Sequence, residues 1–164
     1  MVSPKRCSLL SFLFALAALA PPASAAILYE SGTLGPTGVS PGVGPASNIS
    51  SASFNGARFR LTQQAQVSEI GGHFVSAAQG TFFGAIVALE SESDFPDTTD
   101  FSSVDLKGST LLAFPNPSSD VSGSLDILLN PGWYAVVFGS GALGATGQGA
   151  VLLNNTDVGD PDFI

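Results

Sequence analysis

Cysteine is nearly absent from this 164-residue chain: the single one, Cys7, lies close to the N-terminus. Past that point there is no pair to form a disulfide, no thiol nucleophile and no thiolate to hold a metal. Histidine is as scarce. His73 is the only one, and one imidazole without a cysteine makes a poor zinc site. Bases are few as well, five against 13 acids, for a formal charge of −8. Lys5 and Arg6 stand near the start, so only Arg58, Arg60 and Lys107 serve the remainder. That shortage excludes a nucleic-acid binder, which needs clustered Lys and Arg to displace counterions from phosphates. It also excludes a polybasic membrane-surface module. After Ala20 no apolar stretch approaches the roughly 20 residues that span a bilayer, so no transmembrane segment is expected there.

What is present begins with a three-part N-terminal segment. Lys5 and Arg6 precede an apolar run from Leu9 to Ala20, broken only by Ser11. Pro21-Pro22-Ala23-Ser24-Ala25 then sets small residues where a signal peptidase reads. The competing reading is a packed N-terminal helix, but the two prolines and the Gly/Pro stretch beyond them leave it little to pack on. Residues 1–25 are therefore expected to be an export signal, cut after Ala25 or, alternatively, Ala26. Cys7 precedes the apolar run, so it is not placed as a lipoprotein anchor. The mature chain would hold three bases against 13 acids, a formal −10, in an exported, soluble protein.

All 19 glycines and eight of the 11 prolines follow that cut. Frequent Gly and Pro between short apolar runs point to an all-β fold. Residues 26–48 read as an extended strand and a Gly/Pro-rich loop, with no periodicity from Thr33 to Ser47. Residues 49–164 read as one β-sandwich domain. Phe54, Ala57, Phe59 and Leu61 flank Arg58 and Arg60, an alternation with one buried and one wet face. Val67–Ala77 is a strand interrupted at Gly71-Gly72 by a bulge or a close backbone approach. Thr81–Leu89 is apolar on both faces, as in a central strand buried on both sides. Leu111–Phe114, Leu125–Leu129, Trp133–Phe138 and Ala150–Leu153 follow. Asn130-Pro131-Gly132 supplies turn chemistry between two of these runs and predicts a β-hairpin over Leu125–Gly139. Seven or eight strands at this spacing fit a single sandwich, jelly-roll-like in connectivity.

Charge concentrates in one place. Glu90, Glu92, Asp94, Asp97 and Asp100 put five acids into eleven residues, with Asp105 close behind. The plain reading is a solvated loop after a buried strand. A second is a Ca²⁺ site, since Ca²⁺ takes roughly six to eight oxygens from carboxylates, carbonyls and water; the spacing is not that of an EF-hand loop. A third is catalytic. Were the strand to continue past Leu89, Glu90, Glu92 and Asp94 would share a face at about 6.6 Å intervals. A glycoside hydrolase could use Glu90 and Glu92 as its carboxylate pair. Pro96 and the lack of an aromatic platform speak against it.

The remaining signals are weaker. His73 alternates with Phe74 on a strand and reads as structural, half exposed or hydrogen-bonded; no G-x-S-x-G elbow offers it a serine. Gly139-Ser140-Gly141-Ala142-Leu143-Gly144 spells a dinucleotide fingerprint but runs into a sequence unable to start a helix, so it reads as a loop. The sequons at Asn48 and Asn154 carry little weight. Trp133 and Tyr134, adjacent on a strand, face opposite sides. Trp133 is expected in the core, leaving Tyr134 as the candidate ligand contact.

Three stretches carry a resemblance: G-G-H-F-V-S-A-A-Q-G-T-F-F-G-A-I-V-A-L (71–89), S-D-F-P-D (93–97) and N-P-G-W-Y-A-V-V-F-G-S-G-A-L-G-A-T-G (130–147). As a set they resemble the small exported β-rich proteins that commonly end in a PEP-CTERM sorting tail. The resemblance implies a Gram-negative source and a place at the cell surface, in the periplasm or outside the cell. It further implies a non-enzymatic structural or binding role associated with exopolysaccharide. Extracellular polysaccharide or surface proteins are the partners it implies; it supplies no catalytic residues. The chain departs from the pattern at its end, Asp160-Pro161-Asp162-Phe163-Ile164, where a sorting tail and a further strand would be expected; a truncated reading frame would account for that. A Ca²⁺-dependent carbohydrate-binding module is the alternative expectation.

Overall fold

The computed structural model describes residues 26–35, 38–43, 46–97, 101, 104–152 and 156–164. The expected export signal over 1–25 lies outside the described residues, as do Asp100 and Asn154. Among the described residues there are nine strands and no helix. They are β1 Ala46–Ile49, β2 Asn55–Leu61, β3 Ala65–Ala78, β4 Thr81–Leu89, β5 Leu106–Ala113, β6 Ser119–Leu129, β7 Gly132–Gly139, β8 Gln148–Leu152 and β9 Asp162–Phe163.

The strands form a four-stranded sheet, β1-β8-β3-β6, and a five-stranded sheet, β5-β4-β7-β2-β9, antiparallel throughout. Consecutive strands cross from one sheet to the other, except that β4 and β5 are neighbours in the same one. With β9 set aside, this is the strand order of a double-sheet jelly roll. The protein is an all-β sandwich of jelly-roll connectivity.

That order corrects the hairpin expected over Leu125–Gly139. Asn130-Pro131-Gly132 does reverse the chain, but β6 pairs with β3 and β7 pairs with β2 and β4. The turn is an arch that carries the chain between sheets. Leu129 and Tyr134 on either side of it enter one core cluster with Phe59, Leu61, Val67, Ile70 and Ile86. Local turn chemistry is the same for a hairpin and an arch, and burial of the flanking apolar faces selects the arch here. Gly71-Gly72 is the close approach and not the bulge. The register is regular there and shifts instead between Val67 and Glu69 and between Ser76 and Ala78. A Cβ at Gly71 would lie 2.8 Å from Ser122 Cα on β6, so only glycine fits.

Each outer face of the sandwich is covered in part, over β4 and β7 on one side and over β3 and β8 on the other, which explains why β4 is apolar on both sides. Phe82 and Ile86 point between the sheets. Phe83, Ala85, Val87 and Leu89 point outward into a second core with Ala135, Val137, Phe101 and Ala145. Phe54, Leu106, Trp133 and Leu143 close over it. On the opposite face Val75, Ala150 and Leu152 lie under Val39 of the Gly/Pro segment. That segment is pinned at Ser118. Gly38 N donates to Ser118 O at 2.8 Å, Ser118 N donates to Val39 O at 2.9 Å, and Val39 N donates to Ser118 Oγ at 2.9 Å. Around Val39 the aperiodic segment is thus a covering layer whose backbone groups find partners outside any sheet, whereas its last residues, Ala46 and Ser47, expected in the loop, belong to β1 and pair with β8.

Candidate functional site

The acidic segment begins where β4 ends, at Leu89, and turns at once. The catalytic expectation needed that strand to continue. With the strand ended, Glu90 and Glu92 are exposed turn residues that share no strand face with Asp94. Asp94 is committed to its own turn: its carboxylate accepts from Glu90 N at 2.8 Å and from Phe95 N at 2.9 Å. This is the aspartate habit of satisfying nearby backbone donors. Asp97 lies against Asp105. A side-chain hydrogen bond to Asp105, that residue's negative charge and the charge of Asp94 together hold the Asp97 carboxyl above the ordinary carboxylate range. Of the expected Ca²⁺ ligands, then, Glu90 and Glu92 stand apart, Asp94 caps a turn, and Asp97 meets Asp105; Asp100 lies outside the described residues. No three His, Cys, Asp or Glu side chains among the described residues group closely enough to hold a metal ion.

The segment is anchored by a residue that the charge pattern alone did not single out. Arg58 lies on the outward side of β2. Its Nε is 2.7 Å from Asp162 Oδ2 and its Nη2 donates to Asp162 Oδ1 at 2.9 Å, a two-pronged pair with β9. Its Nη1 donates to Asp94 O at 3.1 Å, and its guanidinium stacks 4.8 Å above the centre of the Phe95 ring. One side chain thereby joins β2, the acidic segment and β9. The alternation around Arg58 marked it as outward-facing, but nothing local names a partner 104 residues away. Next to it, Phe54, Gly56, Phe95, Phe101, Val137 and Ile164 line a half-open apolar cleft of about 180 Å³.

Tyr134 is not the outward aromatic. It is 6% exposed and packs on Phe59 with ring centres 5.8 Å apart, and its hydroxyl donates to Asn130 O at 2.9 Å. Its register opposite Phe59, on the inward side of β2, sets this parity. Trp133 consequently faces outward, half-buried at the rim of the second core, with the Arg60 guanidinium 5.8 Å above its ring. The expected orientations of the two aromatics are exchanged. Period-2 alternation determines that neighbours diverge and leaves open which of them goes inside.

No family model matches the chain, and no curated protein or solved structure is significantly similar to it.

His73 sits on the outward side of β3, directly opposite Asp120 on β6, with Nδ1 2.5 Å from Asp120 Oδ1. The imidazole is fully buried and the carboxylate half exposed. The histidine is hydrogen-bonded, one of the two settings expected for it. The Gly139–Gly144 stretch leads into a loop without a helix, with positive φ at Gly141, Leu143 and Gly144. No helix among the described residues is long and apolar enough to cross a membrane.

Proposed function

We propose that this chain is an exported, non-catalytic β-sandwich that serves as a structural or binding module at the cell surface or in an exopolysaccharide matrix. The observation that carries a binding role is the Arg60–Trp133 pair on the outward side of β2 and β7. There a half-buried indole lies beside an exposed guanidinium, and no carboxylate among the described residues forms an ion pair with it. The C–H face of a pyranose ring packs on such an indole, and its hydroxyls accept from the guanidinium. The signal-like N-terminal segment and the resemblance to exported β-rich proteins support the location. Affinity electrophoresis through gels holding neutral or acidic polysaccharides tests the reading. At least one polysaccharide is expected to retard the wild type, and Arg60→Gln to lose that retardation with an unchanged melting midpoint. Trp133→Ala, which also uncovers part of the second core, is expected to lose it while keeping a native far-ultraviolet circular dichroism spectrum. A wild type that migrates freely through all of them removes the binding role.

A second reading makes the binding Ca²⁺-dependent, and it rests on the Asp97–Asp105 pair alone, whose two carboxylates would share a cation with carbonyls and water. A bound cation would relieve the repulsion between these carboxylates and raise the melting midpoint. Melts with Ca²⁺ and with chelator that superimpose would rule it out.

A further inference from the structure

Asn55-Gly56 is the only Asn-Gly step in the chain. In such a step the absence of a side chain on the following residue lets its backbone nitrogen approach the asparagine Cγ. We propose that Asn55 is a latent deamidation site, kept shut by the backbone of Ile164 and by the hydrogen bonds of its own amide.

Three observations carry this. Gly56 N donates to Ile164 O at 2.9 Å, and Ile164 N donates to Gly56 O at 3.0 Å, so the nucleophilic nitrogen is engaged just beyond β9. The Asn55 side chain is held at both ends: Ser47 Oγ donates to its Oδ1, and its Nδ2 donates to Asn48 O at 2.6 Å. Finally, the latch is slight, because β9 pairs with β2 at Ala57 and Arg58 alone and relies on the Arg58–Asp162 ion pair beside them. Opening of β9 frees the Gly56 amide while the rest of β2 stays paired to β7.

The reaction then follows from the atoms present and solvent water. The Gly56 nitrogen attacks Asn55 Cγ and a new N–Cγ bond forms. The Cγ–Nδ2 bond breaks, and Nδ2 leaves as ammonia carrying the former Gly56 amide proton. Water adds to either carbonyl of the cyclic imide, which opens to aspartate or to isoaspartate. Either product replaces a donor by a carboxylate, so the bond to Asn48 O is lost and a negative charge faces that carbonyl. Isoaspartate also inserts one backbone atom ahead of Gly56, which breaks the β2 register at the floor of the apolar cleft. Conversion would therefore loosen the corner between β1 and β2.

The test incubates the full chain in mildly alkaline buffer and follows isoaspartate by enzymatic methylation and Asn55 conversion by peptide mass. A synthetic peptide spanning Ala52–Phe59 reports the unrestrained rate. The peptide is expected to convert fastest and the wild type slowest. Asp162→Ala and Ile164→Pro, which weaken the latch from its side chain and its backbone, are expected to convert several-fold faster than the wild type. Asn55→Gln should yield no isoaspartate at this step. A wild type that converts as fast as the peptide overturns the proposal, whether or not either variant folds. So does a wild-type rate in a latch variant whose near-ultraviolet circular dichroism is native.

Discussion

Arg58 gathers more interactions than any other charged side chain described. It is 11% exposed, whereas its partner Asp162 is 44% exposed, so solvent screens the pair and the backbone and ring contacts share the work. Arg58→Ala removes the pair, the bond to Asp94 O and the stack on Phe95 together. It is predicted to cost about 1–3 kcal/mol, read as a lower urea midpoint. Arg58→Lys should recover little, because one ammonium cannot at once keep the bond to Asp162 Oδ1, the bond to Asp94 O and the flat stack on the Phe95 ring. At Asp97 the sign is opposite. Its carboxyl is raised by Asp105 and Asp94, so the stability linked to it is full in acid and falls as pH climbs through that raised range. Asp97→Asn is predicted to raise the melting midpoint at neutral pH, to match the wild type once both carboxyls are protonated, and to lose its advantage in high salt.

At the scale of the element, β4 departs most from the ordinary strand of a two-layer sandwich. Phe82 lies between the sheets against Phe74 and Phe114, and Phe83 lies on the far side against Phe54 and Phe101; neither is exposed at all. In a sandwich with one wet face, truncating the outward residue would cost little. Here Phe82→Ala and Phe83→Ala are each predicted to cost about 3–5 kcal/mol in equilibrium denaturation. A small loss for Phe83→Ala alone would show that the covering layer contributes little. That layer includes Phe101 and Leu106, which bracket the acidic segment's return to β5. The segment is thus charged where it meets water and apolar where it meets the sheet, which is why it does not read as amphipathic in either a helical or a strand period.

Across the whole molecule, the two ends of the described chain close the same side. Thr33 N donates to Thr156 O at 2.8 Å, Val158 N donates to Ser31 O at 3.1 Å, and β9 lies along β2. Tyr29 stacks on Phe59 with ring centres 5.0 Å apart and fills the gap between the sheets there. Pro161 precedes β9 at the sheet's outer edge, where a missing N–H disfavours addition of a further strand. Most of these contacts join residues far apart in sequence, so the fold must close long loops before burial rewards it.

Much of this was legible in the residues. The positions of β2, β4 and β7, the two-sided burial of β4, the outward parity of Arg58 and Arg60 and the all-β class all follow from apolar spacing and from Gly and Pro between the runs. The candidate site was less legible. Asp94, Asp97 and the two exposed glutamates could be named as a group, but not how Asp94 turns in on its own backbone. Amino-acid sequence by itself determined where β2, β4 and β7 form and which of their side chains share a face, because those depend on neighbours one to four residues away; it left β1 in the loop and shortened β5 and β6. Tertiary structure alone decided that Asn130-Pro131-Gly132 is an arch, that Tyr134 and not Trp133 goes inside, and that Arg58 meets Asp162. Each of these depends on which sheet a strand joins, and that choice is made by burying apolar area between segments distant in the chain.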